Sequence, residues 1–348
     1  MRFAAALLVL GACAPSGTPS GRFETPYALN LSAFLSPPPV PGSAFIVDVA
    51  TAEFDGDGLS DLVVAWGGGF VTVARFADSS LGVPERLDGD HTAPLLTFGS
   101  TLLTTSTTHR LQLSRWNEER PGMAQVGWVD AGHPPTAVLA IGTDIIASSD
   151  AGLQVFASNG VTFGPSTQRP LSARGSQLAT ADVDADGLPD LLVFQRDVGR
   201  TQLFRGTPSG LTDAASFETP ALAGSIAVGP VGDAVELLVT SEDGPIRRNV
   251  WRDGRFEPSG EIPLAACTQA LLTDVDGDAS NDLIALCGGV IEVLRYADGA
   301  FESLNRLPVD GARLVRRGDV TGDGLADLLI VPRSGAGTLF VARAHAFP

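Results

Sequence analysis

Cysteine, histidine and tyrosine are scarce in this chain of 348 residues, with three, four and two copies respectively. His91, His109, His133 and His345 show no zinc-ligand spacing, and no GxSxG elbow is present, so the usual sequence marks of zinc and serine hydrolases are missing. Basic residues are few as well. Lys and Arg total 23 against 40 Asp and Glu, a formal charge of −17, and they gather into no basic patch, which excludes a nucleic-acid binder. The apolar run Phe3–Leu10 is too short to span a bilayer. Aromatics make up only 7% of the chain, and Trp66, Trp116, Trp128 and Trp251 are dispersed, as packing residues are, rather than grouped into a sugar-binding platform. Glycine (40) and proline (24), by contrast, are plentiful, which suits many short strands joined by turns in an all-β chain.

What the chain does have is a recurring acidic loop. Asp182–Asp190 reads DVDADGLPD and runs directly into Leu191-Leu192-Val193. Positions 1, 3, 5 and 9 place Asp182, Asp184, Asp186 and Asp190 around one small volume, with Leu188 at position 7 and Gly187 allowing the sharp turn. Carboxylates crowded this closely repel one another unless a hard cation sits between them, and Ca²⁺ fits such oxygen ligands. Three further copies follow the same pattern. They are Glu53, Asp55, Asp57, Leu59 and Asp61; Asp274, Asp276, Asp278, Ser280 and Asp282; and Asp319, Thr321, Asp323, Leu325 and Asp327. These loops hold fifteen carboxylates, so much of the negative charge lies where up to four Ca²⁺ would neutralise it. Position 12 is Val64, Val193, Ala285 or Ile330 inside apolar runs, which rules out an EF-hand with its bidentate Glu. Acidic turns that cap strand ends without any metal are the alternative.

The loops lie on a grid of about 43 to 46 residues with gaps, and the gaps keep strand character without ligands. Val228–Val239, and stretches within residues 92–133 and 134–172, are such lapsed units, and counting them gives seven. Each unit has room for four short strands, which fits a seven-bladed β-propeller. DVDADGLPDLLV, EFDGDGLSDLVV, DVDGDASNDLIA and DVTGDGLADLLI resemble the FG-GAP and VCBS repeats of integrin α-chain heads and many bacterial surface proteins. That resemblance implies a calcium-binding propeller over residues 22–348, without fixing a ligand.

The four loops are not equal. Asp182–Asp190 has every ligand, Glu53 is longer than Asp, Ala279 replaces the turn glycine, and Thr321 offers a neutral oxygen. Cys267 and Cys287 flank the third loop nearly symmetrically, as either a disulfide across its hairpin or two buried thiols. Arg317-Gly318-Asp319 spells an adhesion tripeptide, but Asp319 is already position 1 of a metal loop.

Residues 1–12 read as an export signal, and Leu10-Gly11-Ala12-Cys13 resembles a bacterial lipobox, which implies a lipid on Cys13 and a flexible tether over residues 13–21. An ordinary cleaved secretory signal is the alternative. Three functional readings follow. The first is a lipid-anchored cell-envelope scaffold, monomeric, that binds a protein or glycan. The second is a lectin, and the third is a polysaccharide lyase, for which only Tyr27 and Tyr296 could supply a phenol. The last unit has no room for its fourth strand before Pro348. Gly21–Pro26 resembles the late segments of other units, so a strand from about residues 22–30 is predicted to pair beside Thr338–Arg343, with Pro37–Pro41 leading on to the first unit.

Overall fold

The computed structural model describes residues 19–31, 45–77, 80–82, 84–87, 89–119, 122–220, 223–320, 325–333 and 338–346. The export signal, Cys13, Pro37–Pro41 and Thr321–Asp323 lie outside the described residues. Seven four-stranded antiparallel sheets form the blades of a β-propeller. Blades one to six each use four strands in chain order, beginning at Ile46, Thr92, Ala137, Gln177, Ile226 and Cys267. The first strand of every blade contacts the first strand of the next, and blade seven contacts blade one. Among the described residues no helix is long and apolar enough to cross a membrane.

The sequence dictates this packing through the second strand of each blade, which is apolar on both faces. In blade four, Asp190–Gln195 is buried throughout. Side chains alternate along a strand, so Leu191 and Val193 pack toward blade three while Leu192 and Phe194 pack toward blade five. Blade six repeats the division, with Leu283 and Ala285 on one side and Ile284 and Leu286 on the other. The apolar core is thus seven separate layers, one between each pair of neighbouring blades.

Blade seven is completed from the opposite end of the chain. Tyr27–Asn30 pairs with Thr338–Ala342 as its outer strand, in the register Tyr27↔Val341 to Asn30↔Thr338. One continuous strand over residues 22–30 is not what forms, however. Pro19–Phe23 makes a separate ribbon with Ala344–Ala346, and the chain breaks at Glu24–Pro26, where Pro26 has no N–H to give. Residues 19–21, read from the sequence as tether, therefore belong to the fold. Phe23 and Leu29 are buried, and Leu31 is sealed beneath blade one.

Polar clasps lock the same seam near the axis. Asp48, on the first strand of blade one, accepts from the Arg316 guanidinium of blade seven at 3.2 Å and from the Leu95 amide of blade two at 3.2 Å. Arg313 donates to the Ile46 and Val47 carbonyls across the seam. Around the ring, Gln177 pairs its side-chain amide with the backbone of Ile226, and Gln269 does so with Val315.

Starting the chain at Pro19 should leave the melting temperature unchanged, whereas starting it at Ser32 removes the outer strand of blade seven and three core residues, Phe23, Leu29 and Leu31. The shorter chain is expected to melt at least 10 °C lower or fail to fold, since an open edge is left unpaired. Equal melting of the two chains by circular dichroism would refute closure by this strand.

Candidate metal centres

The acidic loops join the first and second strands, so the three that are described fall on one face of the ring. Each gathers three carboxylates whose oxygens lie within 4.8 Å of one another: Glu53, Asp55 and Asp57 in blade one, Asp182, Asp184 and Asp190 in blade four, and Asp274, Asp276 and Asp282 in blade six. Blade one thus brings together positions 1, 3 and 5, while blades four and six bring together positions 1, 3 and 9. In all three loops the position-5 carboxylate turns back to accept the position-7 amide, at Leu59, Leu188 and Ser280, each at 2.8 Å. Of the fourth loop, Asp319, Leu325 and Asp327 are described, and Thr321 and Asp323 are not.

Position 9 does more than complete a ligand set. Asp61, Asp190, Asp282 and Asp327 are 0–1% exposed, and each accepts the amide of position 2 through one oxygen. The other oxygen accepts an amide at the end of the third strand or just past it: Gly206 for Asp190, Tyr296 for Asp282 and Ala344 for Asp327. One carboxylate thereby ties the loop, the second strand and the third strand together. At Gly206 the fit is close, since a Cβ there would stand 2.4 Å from the Pro189 carbonyl oxygen.

Position 1 shapes the turn. Asp182 accepts the amides of Asp186 and Gly187, and Asp274 those of Gly277 and Ala279. The wrapped backbone is left-handed at both position 4 and position 6. Glycine meets this at Gly56, Gly58, Gly187 and Gly277, but Ala185 and Ala279 adopt φ of 59° and 70°. A Cβ in this region costs roughly 1 kcal/mol. The sequence singled out Ala279 and missed Ala185, so the loop with the full ligand set also carries strain. Around the Ala279 loop, Cys267 and Cys287 are joined by a disulfide that spans 20 residues. A loop of that length gains about 3 kcal/mol in the chain-entropy account, more than the strain costs.

An arginine guards position 3. The chain contains no lysine, so all 23 cationic side chains are arginines. Arg205, the last residue of its third strand, sits 2.9 Å from Asp184, and Arg75, which directly follows the third strand of blade one, sits 3.6 Å from Asp55. In blade six Arg295 lies late in the third strand, and it only partly offsets the burial and the Asp278 charge that raise the pKa of Asp276. These arginines were not predicted, yet the signal is in the sequence: an Arg follows the apolar run of each of these third strands, in FVTVAR, TQLFR, IEVLR and LFVAR. They offset part of the repulsion, not all of it. The second oxygen of Asp184 is buried with no hydrogen-bond partner. Burial, opposed by the Gly206 and Val183 amides, raises the pKa of Asp190, and burial with the charges of Asp276 and Asp278 pushes Asp282 up to about 6.

An orphaned carboxylate oxygen beside two further carboxylates is the environment a hard cation relieves, so the residues of the blade-four loop fit Ca²⁺. Asp182, Asp184 and Asp190 would hold it, and the ion would supply charge neutralisation and a fixed loop. The adhesion tripeptide, in contrast, is occupied structurally. Arg317 is turned onto Thr273 and the Asp274 carbonyl, and a Cβ on Gly318 would collide with Thr51.

The fold and these loops define a seven-bladed β-propeller with acidic loop clusters. Within it, residues 142–193 match the family model of the FG-GAP-like repeat, covering most of blade three and blade four from its first strand into its second. Among solved structures, BBS1N in complex with ARL6DN is similar both in mercury-soaked crystals (TM-score 0.65, 12% identity, 93% of this chain and 97% of that one) and in lead-soaked crystals (TM-score 0.65, 13% identity, 94% and 98%). At such identity the likeness is one of fold. No curated protein matches the chain significantly.

Two outcomes are expected. Adding Ca²⁺ to chelator-treated protein should raise its melting temperature, and Asp184→Asn should lose more of that gain than Asp186→Asn, because Asp186 stands outside the cluster. Equal losses in scanning calorimetry would assign the loops to turn formation alone. In metal-free protein, Asp282 has a folded pKa above its unfolded value. Its stabilising contribution is therefore full below about pH 4 and lost as the pH rises through about 6. Metal-free melting should accordingly fall across that window, with a shallower fall for Asp282→Asn.

Proposed function

We propose that this protein is a calcium-stabilised propeller, held at a bacterial cell envelope by a lipid on Cys13, whose ring acts as a scaffold binding a protein or another envelope component. The observation that carries this reading is the closed ring itself. Seven interlocked layers, sealed by the N-terminal strand, make a platform whose loops share one edge. Loops on a rigid frame are where binding residues gather. The similar propeller BBS1N was solved with a protein bound, ARL6DN, which supports a protein partner here. Calcium belongs to the proposal through the acidic clusters, whose role is to hold the loop edge in shape. No chemistry on a substrate is assigned to them.

The anchor and the partner are tested separately. Cys13→Ser should move the protein from the membrane pellet to the supernatant, because the acyl chains supply its membrane affinity. Retention of the variant in the pellet would refute the anchor. Immobilised protein should retain envelope proteins in calcium and release them in chelator. Retention that ignores calcium would remove the metal from the binding role, and retention only of glycans on an array would favour the lectin.

A further inference from the structure

The residue that opens the second strand recurs in every blade, and in six of the seven it is engaged. Asp61, Asp190, Asp282 and Asp327 accept backbone amides, as described above. Blades two, three and five have only a two-residue turn where the others have an acidic loop, and there the position has diverged. In blade two it is Thr101, which donates to the Gly160 carbonyl. In blade five the strand Ala234–Val239 begins two residues earlier, and the residue just before the matching apolar run is Glu236, 4% exposed, which the Arg248 guanidinium grips through two bonds of 2.6 and 2.9 Å. In blade three it is Asp144, opening the strand Asp144–Ser149, and its carboxylate has neither a hydrogen bond nor an ion pair among the described residues.

Asp144 lines a cavity of about 400 Å³ between blades three and four, on the face of the metal loops. Ile146 and Val155 of blade three form one wall, and Leu188 and Pro189 of the blade-four acidic loop form the other. Arg169 also lines the cavity. One of its terminal nitrogens donates to the Leu211 carbonyl, while its Nε–H is buried with no partner. The register separates the two charges. Asp144 precedes Ile145, which pairs with Phe156, whereas Arg169 pairs with Leu153. That offset is two strand spacings across and about four residues along, on the order of 16 Å between backbones, which the long arginine side chain shortens. An unpaired carboxylate and an under-satisfied guanidinium, both of which a partner would relieve, thus stand apart in one cavity with apolar walls.

We propose that this cavity binds a short apolar peptide with free termini, its ammonium on Asp144 and its carboxylate on Arg169. The chemistry matches at each point: a cation for the unpaired acid, an acceptor for the spare donors, and apolar side chains against Ile146, Val155 and Leu188. Three extended residues span about 10 Å, which suits the separation once the side chains reach inward. A free amino acid carries the same groups but is too short to meet both. This site deepens the scaffold reading by naming a ligand class, and it also stands without the lipid anchor.

Calorimetric titration of the full chain in calcium with trileucine, N-acetyl-trileucine, trileucine amide and leucine tests it. Trileucine should bind, and acetylation, amidation and Asp144→Asn should each weaken it about tenfold or more, with leucine weaker again. Acetylation should cost nothing further on the Asp144→Asn protein, because the ammonium has already lost its partner. The acetylated peptide reads the same contact on unaltered protein, so a variant that misfolds does not shield the proposal. Absence of heat for trileucine up to about 10 mM, affinity unmoved by acetylation, or leucine binding as tightly as trileucine would each overturn it. Retention of envelope proteins in the face of such a failure would leave the scaffold reading standing and remove only this pocket.

Discussion

Each blade of this molecule is apolar on both faces, and no blade can bury both alone. That constraint governs everything else. A second strand such as Asp282–Cys287, buried at every residue, needs a neighbour on either side, so the sheets must be arranged in a ring and the ring must shut. The seam is where the requirement is hardest to meet, because the sheets on its two sides come from opposite ends of the chain. Three independent devices converge there: the outer strand Tyr27–Asn30, the buried Leu31, and the polar clasp of Arg313, Arg316 and Asp48. Burial lowers the pKa of Arg313, so desolvation works against this clasp, which holds through paired charge and two carbonyl bonds.

The seven-fold repeat also shows what one position can be made to do. An acid at the head of the second strand is costly to bury and is accommodated in different ways. Backbone amides bind it where an eight-residue loop supplies them, and Arg248 binds it where the loop has shrunk to a two-residue turn. A guanidinium fixed by the fold thus replaces the backbone amides that an acidic loop provides. Arg248 also lies over the rings of Tyr296 and Phe301 in blade six, so the same side chain that neutralises Glu236 cements the next interface.

Much of this was legible from residues alone, and for identifiable reasons. The DxDxDGxxD spacing followed by an apolar run fixed both loop and strand, and its period gave seven blades even where ligands were gone. Closure by the N-terminal segment was legible because that segment resembles the late part of other units. Its division at Pro26 was not foreseen, although the missing proline donor was in view. The position-5 aspartates read as ligands because spacing places them near the others. In the structure Asp186 and Asp278 each accept the amide two residues on, a bond set by local backbone geometry that spacing does not reveal and one that Asp57 also makes from within its cluster. The arginines ending the third strands were visible but silent, since their meaning depends on which loop lies across the sheet.

The same reasoning explains why a binding function would arise at the junction of blades three and four. A loop that wraps its own carboxylates leaves little for an organic ligand, because most of their oxygens face the turn amides or one another. Where the loop is lost, as in blade three, the strand and its acid persist while the structure that satisfied the acid disappears. In blade two the residue is Thr101, which donates to a carbonyl, and in blade five Arg248 holds the acid. Blade three kept Asp144 and opened a cavity beside it, against the acidic loop with the full ligand set. An unsatisfied charge costs stability in proportion to its burial. Leaving Asp144 half-buried limits that cost while keeping the carboxylate within reach of a ligand, and the adjacent ordered loop keeps the opposite wall in place.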